Sequence, residues 1–198
     1  MKNLPNKPVF WSFRRCPFAM RARLAIAASG QTVQLREIVL QNKPDAFLAI
    51  SPKGTVPVLN LPDGTIIEES WEIMLWALGQ NDPQGWLDIL KRQPNKVKKF
   101  MDYLDVDFKY NLDRYKYASR YDLSAAMMHR NEGAKFLTML DEMLRPTGAL
   151  SGINLGIMDF ASLPFVRQFR IANEEWFDAQ PWSHLNCWLR EFLLSRPF

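Results

Sequence analysis

The sequence is poor in the residues that build metal sites and disulfide frameworks. Its 198 residues include two cysteines, Cys16 and Cys187, and two histidines, His129 and His184. Two cysteines cannot form a disulfide framework, and two histidines without a neighbouring cysteine pair lack the spacing of a zinc site. The sequence therefore predicts neither a metal centre nor a cross-linked scaffold.

Long apolar runs are also missing. No stretch approaches the roughly 20 uninterrupted apolar residues of a membrane-spanning helix, and the opening residues MKNLP lack the apolar run of a signal peptide. These two absences predict a cytoplasmic protein with no membrane partner. Apolar residues nevertheless make up 47% of the chain and aromatic residues 13%, which is enough for a hydrophobic core.

The charge shows little bias along the chain. A net charge of +4 and a pI near 9.1 would suit a nucleic-acid partner. However, Lys and Arg are mixed with Asp and Glu along most of the sequence, and no recognition motif accompanies them. We interpret the densest basic run, KVKK at 96–99, as one solvated turn of a helix. We therefore expect no nucleic acid to bind.

The spacing of apolar residues predicts two unlike domains. Short apolar runs in the first eighty residues predict strands, helical patterns alternate with them, and the resulting order is βαβαββα. The predicted strands are 9–12, 33–39, 57–61 and 65–68, and the predicted helices are 17–29, 45–50 and 70–78. This pattern indicates an α/β domain over 1–80.

Beyond this domain the sequence has turn chemistry and then helical spacing alone. The stretch 81–94 contains turn residues on both sides of a short apolar cluster, which favours a linker. Apolar residues then recur at intervals of three and four, which predicts an all-helical domain over 95–198. Its predicted helices are 96–118, 123–144, 156–170 and 182–194.

Cys16 lies at the junction of the first predicted strand and the first predicted helix. Pro17 suits the first helical turn, so the sulfur would lie beside the N–H groups and the positive dipole end of that helix. Arg14 and Arg15 add positive charge just upstream. Thiols in such settings have pKa values of roughly 3.5 to 7.5 instead of about 8.5, so a reactive thiolate is expected. From these residues alone, a buried and inert cysteine remains an alternative.

The segment around Cys16 carries a family resemblance. Residues 12–23 read SFRRCPFAMRAR and resemble the strand, loop and helix of omega-class glutathione transferases and glutaredoxins, S-x-R-x-C-P-F-x-x-R-x-R. The resemblance implies a thioredoxin-like first domain in a glutathione transferase fold. It also implies that Cys16 is catalytic and that Phe18 binds glutathione. Ala19 replaces the second cysteine of dithiol relatives, which implies a monothiol mechanism with a second glutathione as the resolving thiol.

Two further motifs resemble the glutathione site of the same family. SPKGTVPVL resembles a loop and strand with a cis-proline, here Pro57, which presents the backbone of Val56 to the cysteinyl part of glutathione. ESWEI resembles a helix start at which Glu69 and Ser70 hold the γ-glutamyl amine and carboxylate. Lys53 is implied as the partner of the glycyl carboxylate. Taken singly, these residues also fit an edge-strand proline, a helix cap and a solvated lysine.

The resemblance continues into the helical part. LDRYKY at 112–117 and GIMDFASLPFVRQF at 156–169 resemble stretches of bacterial transferase-like proteins. In the family, a Ser or Thr caps the helix three residues before the aspartate that corresponds to Asp159. Gly156 stands at that place without a hydroxyl, so we expect a weakened cap and a structural role for Asp159.

Several conspicuous residues receive a structural interpretation. Cys187 is interpreted as a small core residue of the last helix. Three tryptophans are interpreted as core or domain-interface anchors, Trp176, Trp182 and Trp188. By the resemblance, one or two tyrosines of the first long helix contact the second substrate, from among Tyr103, Tyr110, Tyr115 and Tyr117.

The resemblance implies a cytoplasmic homodimeric enzyme with glutathione as co-substrate, a small electrophile or disulfide as partner and no metal. We expect a glutathione-dependent thiol transferase or reductase, of the kind that reduces dehydroascorbate or removes glutathione from proteins. Two alternatives stay open: conjugation of glutathione to hydrophobic electrophiles, and a non-catalytic protein-binding module. Ser12 is a lesser candidate for activating bound glutathione. Because the sequence ends at Arg196-Pro197-Phe198, short of the family's C-terminal extension, an open substrate cleft is also expected.

Overall fold

A computed structural model describes residues 6–195 of the chain. Residues 1–5 and 196–198, on which the expectations of a missing signal peptide and an open cleft rest, lie outside the described residues. The chain forms two compact units, Met1–Gln84 and Gly85–Phe198. The boundary between the units falls within 81–94, the stretch interpreted as a linker.

The first unit is a four-stranded mixed sheet with helices. Its elements, in chain order, are β1 (Val9–Ser12), α1 (Pro17–Ala28), β2 (Gln34–Glu37), α2 (Asp45–Leu48), β3 (Val58–Asn60), β4 (Ile66–Ile67) and α3 (Ser70–Gln80). The sheet order is β2-β1-β3-β4, with β1 parallel to β2 and antiparallel to β3. The predicted βαβαββα order is confirmed.

Strand β1 is buried along its whole length because it lies between β2 and β3. Trp11 of β1 packs against Phe47 of α2, with ring centroids 5.4 Å apart, in a cluster that also contains Val9 and Val58. Pro17 occupies the first turn of α1, where its missing N–H removes no helical hydrogen bond. This buried strand and proline-started helix fix the loop that carries Cys16.

Strand β2 is shorter than the predicted run at 33–39. Its four side chains are exposed, because β2 lies at the edge of the sheet. The next residue, Ile38, is 2% exposed and packs in the core, and its N–H still bonds the carbonyl oxygen of Ser12 at 2.9 Å. The apolar pattern thus located the strand but overestimated its length.

The described part of the second unit is helical and contains no strand, as predicted. Its helices are α4 (Asp88–Arg92), α5 (Pro94–Asp102), α6 (Lys109–Lys116), α7 (Ala126–Leu144), α8 (Ile157–Ala172), α9 (Glu174–Asp178) and α10 (Ser183–Leu194). The short helices α4 and α9 were not predicted. None of the helices in the range 6–195 combines the length and the apolar character that crossing a bilayer requires.

The predicted helix at 96–118 is not a single α-helix. A π-helical segment, Tyr103–Phe108, separates α5 from α6, and a 3-10 turn follows at Ala118–Arg120. A π turn adds a residue to the helical repeat and so rotates the residues after it. Leu104 and Phe108, which both lie within this segment, are buried. Spacings of three and four continue through such a segment, so the sequence pattern did not reveal it.

Asp159 has the structural role that was expected of it. Its side chain is fully buried, and one oxygen accepts from the Leu150 N–H at 2.8 Å and from Trp188 Nε1 at 3.0 Å. The other oxygen accepts from the N–H groups of Ser151 at 3.1 Å and Gly156 at 2.9 Å. One carboxylate therefore ties the loop before α8 to the start of α8 and to α10.

The cap of α8 does not lack a hydroxyl, contrary to the expectation from Gly156. Ser151 Oγ accepts the N–H of Met158, the second residue of α8, at 3.2 Å. A Cβ atom on residue 156 would lie 2.8 Å from Ser151 Cβ, which is too close. Ser151 thus supplies the hydroxyl from five residues upstream and occupies the space of the absent side chain.

Cys187 is exposed, so its interpretation as a core residue is wrong. The buried residues of α10 follow a spacing of three and four, namely Leu185, Trp188, Leu189 and Phe192. Cys187 lies two positions after Leu185, which is about 200° around a helix. Its side chain is therefore on the solvent face, where Sγ is 3.5 Å from Glu191 Oε1.

Two of the three tryptophans are core anchors within the second unit. Trp182 and Trp188 are each 4% exposed. Trp176 is partly exposed and meets Trp182 edge to face, with centroids 5.7 Å apart. The guanidinium of Arg130 lies 4.3 Å from the Trp176 ring.

Candidate functional site

Cys16 is the N-cap residue of α1 and is partly buried. Its carbonyl oxygen accepts the N–H of Met20 at 2.9 Å, which is the first hydrogen bond of the helix. Its Sγ donates to the carbonyl oxygen of Val56 at 3.6 Å and makes no capping bond to α1. The thiol therefore lies at the positive end of a helix with a backbone acceptor in contact.

The Val56–Pro57 peptide bond is cis, as the resemblance implies. Pro57 is buried immediately before β3, and the side chain of Val56 packs against the hydrophobic cluster of the sheet. The backbone of Val56, rather than its side chain, thus meets the thiol of Cys16.

The loop between β1 and α1 is held by Arg23, a residue that the sequence analysis did not single out. Arg23 Nη1 donates to Ser12 Oγ at 2.5 Å and to the carbonyl oxygen of Phe13 at 3.5 Å, and Nη2 donates to the carbonyl oxygen of Arg14 at 3.0 Å. Three consecutive residues ahead of the thiol are therefore bound to one guanidinium. The second arginine of the R-x-R pattern was the available signal.

Arg23 and Glu37 add charges to this loop that the sequence analysis did not consider. Burial lowers the pKa of Arg23, while the negative charges of Glu37 and Cys16 oppose that effect. Glu37 also accepts the N–H of Arg14. Arg15, the other arginine expected to add positive charge upstream of the thiol, is exposed, and its guanidinium lies 5.5 Å from the centre of the Phe13 ring.

Ser12 is fully buried, and its hydroxyl accepts from Arg23. Its hydroxyl is thus buried and already engaged by Arg23. Ser12 is therefore part of the support for Cys16.

Lys53 and Glu69 form an ion pair with each other. The Lys53 Nζ is 2.9 Å from Glu69 Oε1, and their side chains are 58% and 63% exposed. The hydrogen bond and charge of Glu69 raise the pKa of Lys53. Gly54 makes the turn that presents Lys53, since its φ of 62° lies in the left-handed region that favours glycine. Two predicted ligands of opposite charge thus lie side by side.

Ser70 begins α3 and is buried, at 3% exposed. Its Oγ accepts from Arg21 Nε at 3.0 Å, and the Arg21 guanidinium lies 5.1 Å from the centre of the Phe18 ring. Arg21 is 2% exposed, so it places a buried positive charge behind Ser70. Phe18 and Ser70, both predicted to bind glutathione, are therefore joined through a residue that the sequence analysis missed.

The tyrosines of the second unit have different environments. Tyr115 is 8% exposed, and burial raises its pKa. Burial also raises the pKa of Tyr103, whose ring meets Phe136 edge to face at 4.9 Å. Tyr110 is 50% exposed, with the Arg114 guanidinium 3.4 Å from its ring centre.

Among the described residues, no cluster of three or more His, Cys, Asp or Glu side chains could hold a metal ion.

Similar proteins identify the first unit. Residues 10–85 match the family model described as the glutathione S-transferase N-terminal domain. Glutathione S-transferase omega-1 of Sus scrofa is 45% identical over 60 residues, which are 30% of this chain and 25% of the relative. Probable glutathione S-transferase DHAR1, cytosolic, of Oryza sativa subsp. japonica is 46% identical over 55 residues, which are 28% of this chain and 26% of the relative. The aligned part spans about a quarter of each relative.

The fold of the whole chain also has a solved counterpart. The crystal structure of a glutathione S-transferase from Methylobacillus flagellatus KT with GSH bound matches with a TM-score of 0.83 and 16% identity, over 96% of both chains. At this identity the match shows the fold. The chain thus has the fold of the glutathione transferases, and residues 10–85 match the model of their N-terminal domain, which confirms the resemblance inferred from the sequence.

Proposed function

We propose that the protein is a glutathione-dependent thiol transferase or reductase that acts through Cys16. The observation that carries the proposal is the position of the thiol, half-buried at the N-cap of α1 and 3.6 Å from the Val56 carbonyl oxygen. The names of its relatives, an omega-class glutathione transferase and a probable glutathione transferase, support glutathione as the co-substrate.

The proposed reaction is a pair of thiol–disulfide exchanges. The Cys16 thiolate attacks the glutathione sulfur of a mixed disulfide between glutathione and a substrate thiol. The Cys16–glutathione disulfide forms, the original S–S bond breaks, and the substrate sulfur leaves with the electron pair and takes a proton from water. A second glutathione, as the thiolate, attacks the same glutathione sulfur and restores the Cys16 thiolate. One substrate thiol is released for each glutathione disulfide formed.

The residues that the resemblance assigns to glutathione have the chemistry that it requires. A carboxylate at Glu69 suits the γ-glutamyl ammonium, and Lys53 suits the glycyl carboxylate. Because the two side chains pair with each other at 2.9 Å, glutathione replaces one ion pair with two. Ser70, with Arg21 bonded behind it, suits the γ-glutamyl carboxylate at the start of α3. The backbone of Val56 then pairs with the cysteinyl part of glutathione.

The burial of Ser12 favours Cys16 over a serine-activated conjugation mechanism. A serine that activates bound glutathione must reach the glutathione sulfur. The Ser12 hydroxyl is instead 0% exposed and bonded to Arg23 at 2.5 Å. Conjugation is therefore the secondary activity in this proposal.

A homodimer and a cytoplasmic location, which the resemblance implies, belong to the proposal as well and are tested by sedimentation equilibrium and cell fractionation.

The substitution Cys16→Ser tests the proposal. We expect it to abolish turnover of hydroxyethyl disulfide with glutathione and to preserve or raise conjugation of glutathione to a chloronitrobenzene, because serine can hydrogen-bond bound glutathione but cannot form a disulfide. Cys187→Ser is the matched control and should keep full turnover. Full disulfide-exchange activity in Cys16→Ser would overturn the proposal. Absence of glutathione binding in calorimetric titration would favour a non-catalytic binding module.

A further inference from the structure

Arg23 lies on α1 two helical turns beyond Cys16. Seven residues are close to two turns of 3.6, so both residues lie on one side of the helix. Helical side chains tilt toward the N-terminus of their helix, which directs the long Arg23 side chain back toward the start of α1. There its guanidinium meets the loop that carries Cys16.

The groups that accept hydrogen bonds from Arg23 do not neutralise its positive charge. They are the hydroxyl of Ser12 and the carbonyl oxygens of Phe13 and Arg14, all of which are neutral. Two further charges face it, the carboxylate of Glu37 and the guanidinium of Arg14. Burial weakens the screening of the Arg23 charge by water, so this cation acts on its neighbours more strongly than an exposed arginine does.

The interaction between Arg23 and Cys16 is reciprocal. A thiolate that favours the charged form of Arg23 is itself favoured by that cation. The same guanidinium also holds two backbone carbonyl oxygens, of Phe13 and Arg14, and the side chain of Ser12, just upstream of the thiol. Arg23 therefore acts both on the position of the loop and on the charge around the thiol.

We propose that Arg23 is the positioning residue of Cys16: it holds the loop at 12–14 in place and stabilises the thiolate by its charge. This inference rests on the proposed function, because it takes Cys16 as the reacting group. The hydrogen bonds that the structure gives Arg23 go to Ser12, Phe13 and Arg14, none of which is assigned to glutathione, so its effect should reach the reaction through the thiol.

The pH dependence of Cys16 alkylation tests the inference. In a Cys187→Ser background, iodoacetamide reports on Cys16 alone. We expect Arg23→Gln to raise the pH of half-maximal reactivity by about one unit, a roughly tenfold loss of thiolate at lower pH. The matched control is Arg15→Gln, which removes an exposed arginine of the same loop and should leave the midpoint unchanged. An unchanged midpoint in folded Arg23→Gln, or an equal rise in Arg15→Gln, would overturn the inference.

Two more variants separate charge from position and remain informative if Arg23→Gln does not fold. Arg23→Lys keeps the charge but loses the forked donor, so turnover should fall several-fold while the midpoint stays within about half a unit of the parent. Glu37→Gln removes an opposing negative charge and should lower the midpoint. A raised or unchanged midpoint in Glu37→Gln contradicts the electrostatic role, and full turnover in Arg23→Lys contradicts the positional one.

These results are independent of the test of function. If Cys16→Ser keeps its disulfide-exchange activity, the proposed function fails even when Arg23 controls the alkylation midpoint. If Arg23→Gln leaves the midpoint unchanged, the function stands on Cys16→Ser and the role of Arg23 is withdrawn. The KM for glutathione in Arg23→Gln should stay within about twofold of the parent, whereas kcat falls.

Discussion

Cys16 and Val56 share a hydrogen bond in which the thiol donates to the backbone carbonyl oxygen at 3.6 Å. A thiolate cannot donate, so this bond stabilises the protonated form of Cys16. The same carbonyl belongs to the Val56 backbone that we assign to the cysteinyl part of glutathione, whose N–H it would accept. The thiol and the co-substrate thus address one carbonyl oxygen; if the incoming N–H displaces the S–H from it, the thiol loses a bond that favours its protonated form.

This competition predicts that a glutathione analogue without a free thiol acidifies Cys16. In Cys187→Ser, saturating S-methylglutathione should lower the midpoint of the ultraviolet thiolate absorbance by about half a pH unit, because the analogue's N–H replaces the S–H on the carbonyl. The Cys16→Ser, Cys187→Ser double variant serves as the spectroscopic blank. A midpoint that does not move while calorimetry shows saturation would contradict the shared acceptor.

The Lys53–Glu69 ion pair predicts a loss of glutathione affinity without a loss of stability. Lys53→Met should weaken glutathione binding by about tenfold in calorimetric titration, since a charge-assisted hydrogen bond to the glycyl carboxylate is lost. The melting temperature should hardly change, because both partners are exposed.

The matched control for that variant is Lys98→Met. Lys98 pairs with Asp102 at 2.6 Å, and both side chains are exposed, but they lie on α5 of the second unit. Loss of glutathione affinity in Lys98→Met as large as in Lys53→Met would show that the effect is not specific to the assigned subsite.

The cap of α8 predicts a pair of compensating substitutions. Ser151→Ala removes the hydroxyl that accepts from Met158 and should lower the free energy of unfolding by about 1 kcal/mol. Gly156→Ser alone should also destabilise, because its Cβ would lie 2.8 Å from Ser151 Cβ. The double variant Ser151→Gly, Gly156→Ser restores the hydroxyl and the space, so urea unfolding should show it to be more stable than Gly156→Ser and than Ser151→Gly alone. Additive destabilisation would refute this account of the cap.

The exposure of Cys187 predicts a second reactive thiol that does not contribute to turnover. In a titration with a thiol-specific reagent, two thiols per folded protein molecule should react. In Cys187→Ser one thiol should react, and the disulfide-exchange activity should be unchanged. A fall in activity in Cys187→Ser would give the residue a role that its position on the solvent face of α10 does not suggest.

The sequence predicted the first unit well because its signals are local. A buried strand, Cys16 before Pro17, and a turn before β4 each depend on neighbouring residues, and the order βαβαββα follows from them. The cis bond at Pro57 was also predicted, from the resemblance of the surrounding motif.

What the sequence did not predict depends on residues that are distant along the chain. The hydrogen bonds from Arg23 to the loop and from Arg21 to Ser70 require the folded arrangement of α1, α3 and the loop. Ser151 replaces the hydroxyl missing at Gly156 from five positions away, which a motif with fixed spacing does not detect. The misassignment of Cys187 was avoidable, since the helical phase of its neighbours on α10 already placed it outside the core.

Mass spectrometry of the trapped intermediate tests the central claim most directly. When the protein is incubated with a glutathionylated peptide, quenched with acid and digested, the account predicts one glutathione in disulfide linkage to Cys16, which disappears when reduced glutathione is added before the quench. Substrate turnover with no adduct at Cys16, or an adduct confined to Cys187, would contradict it.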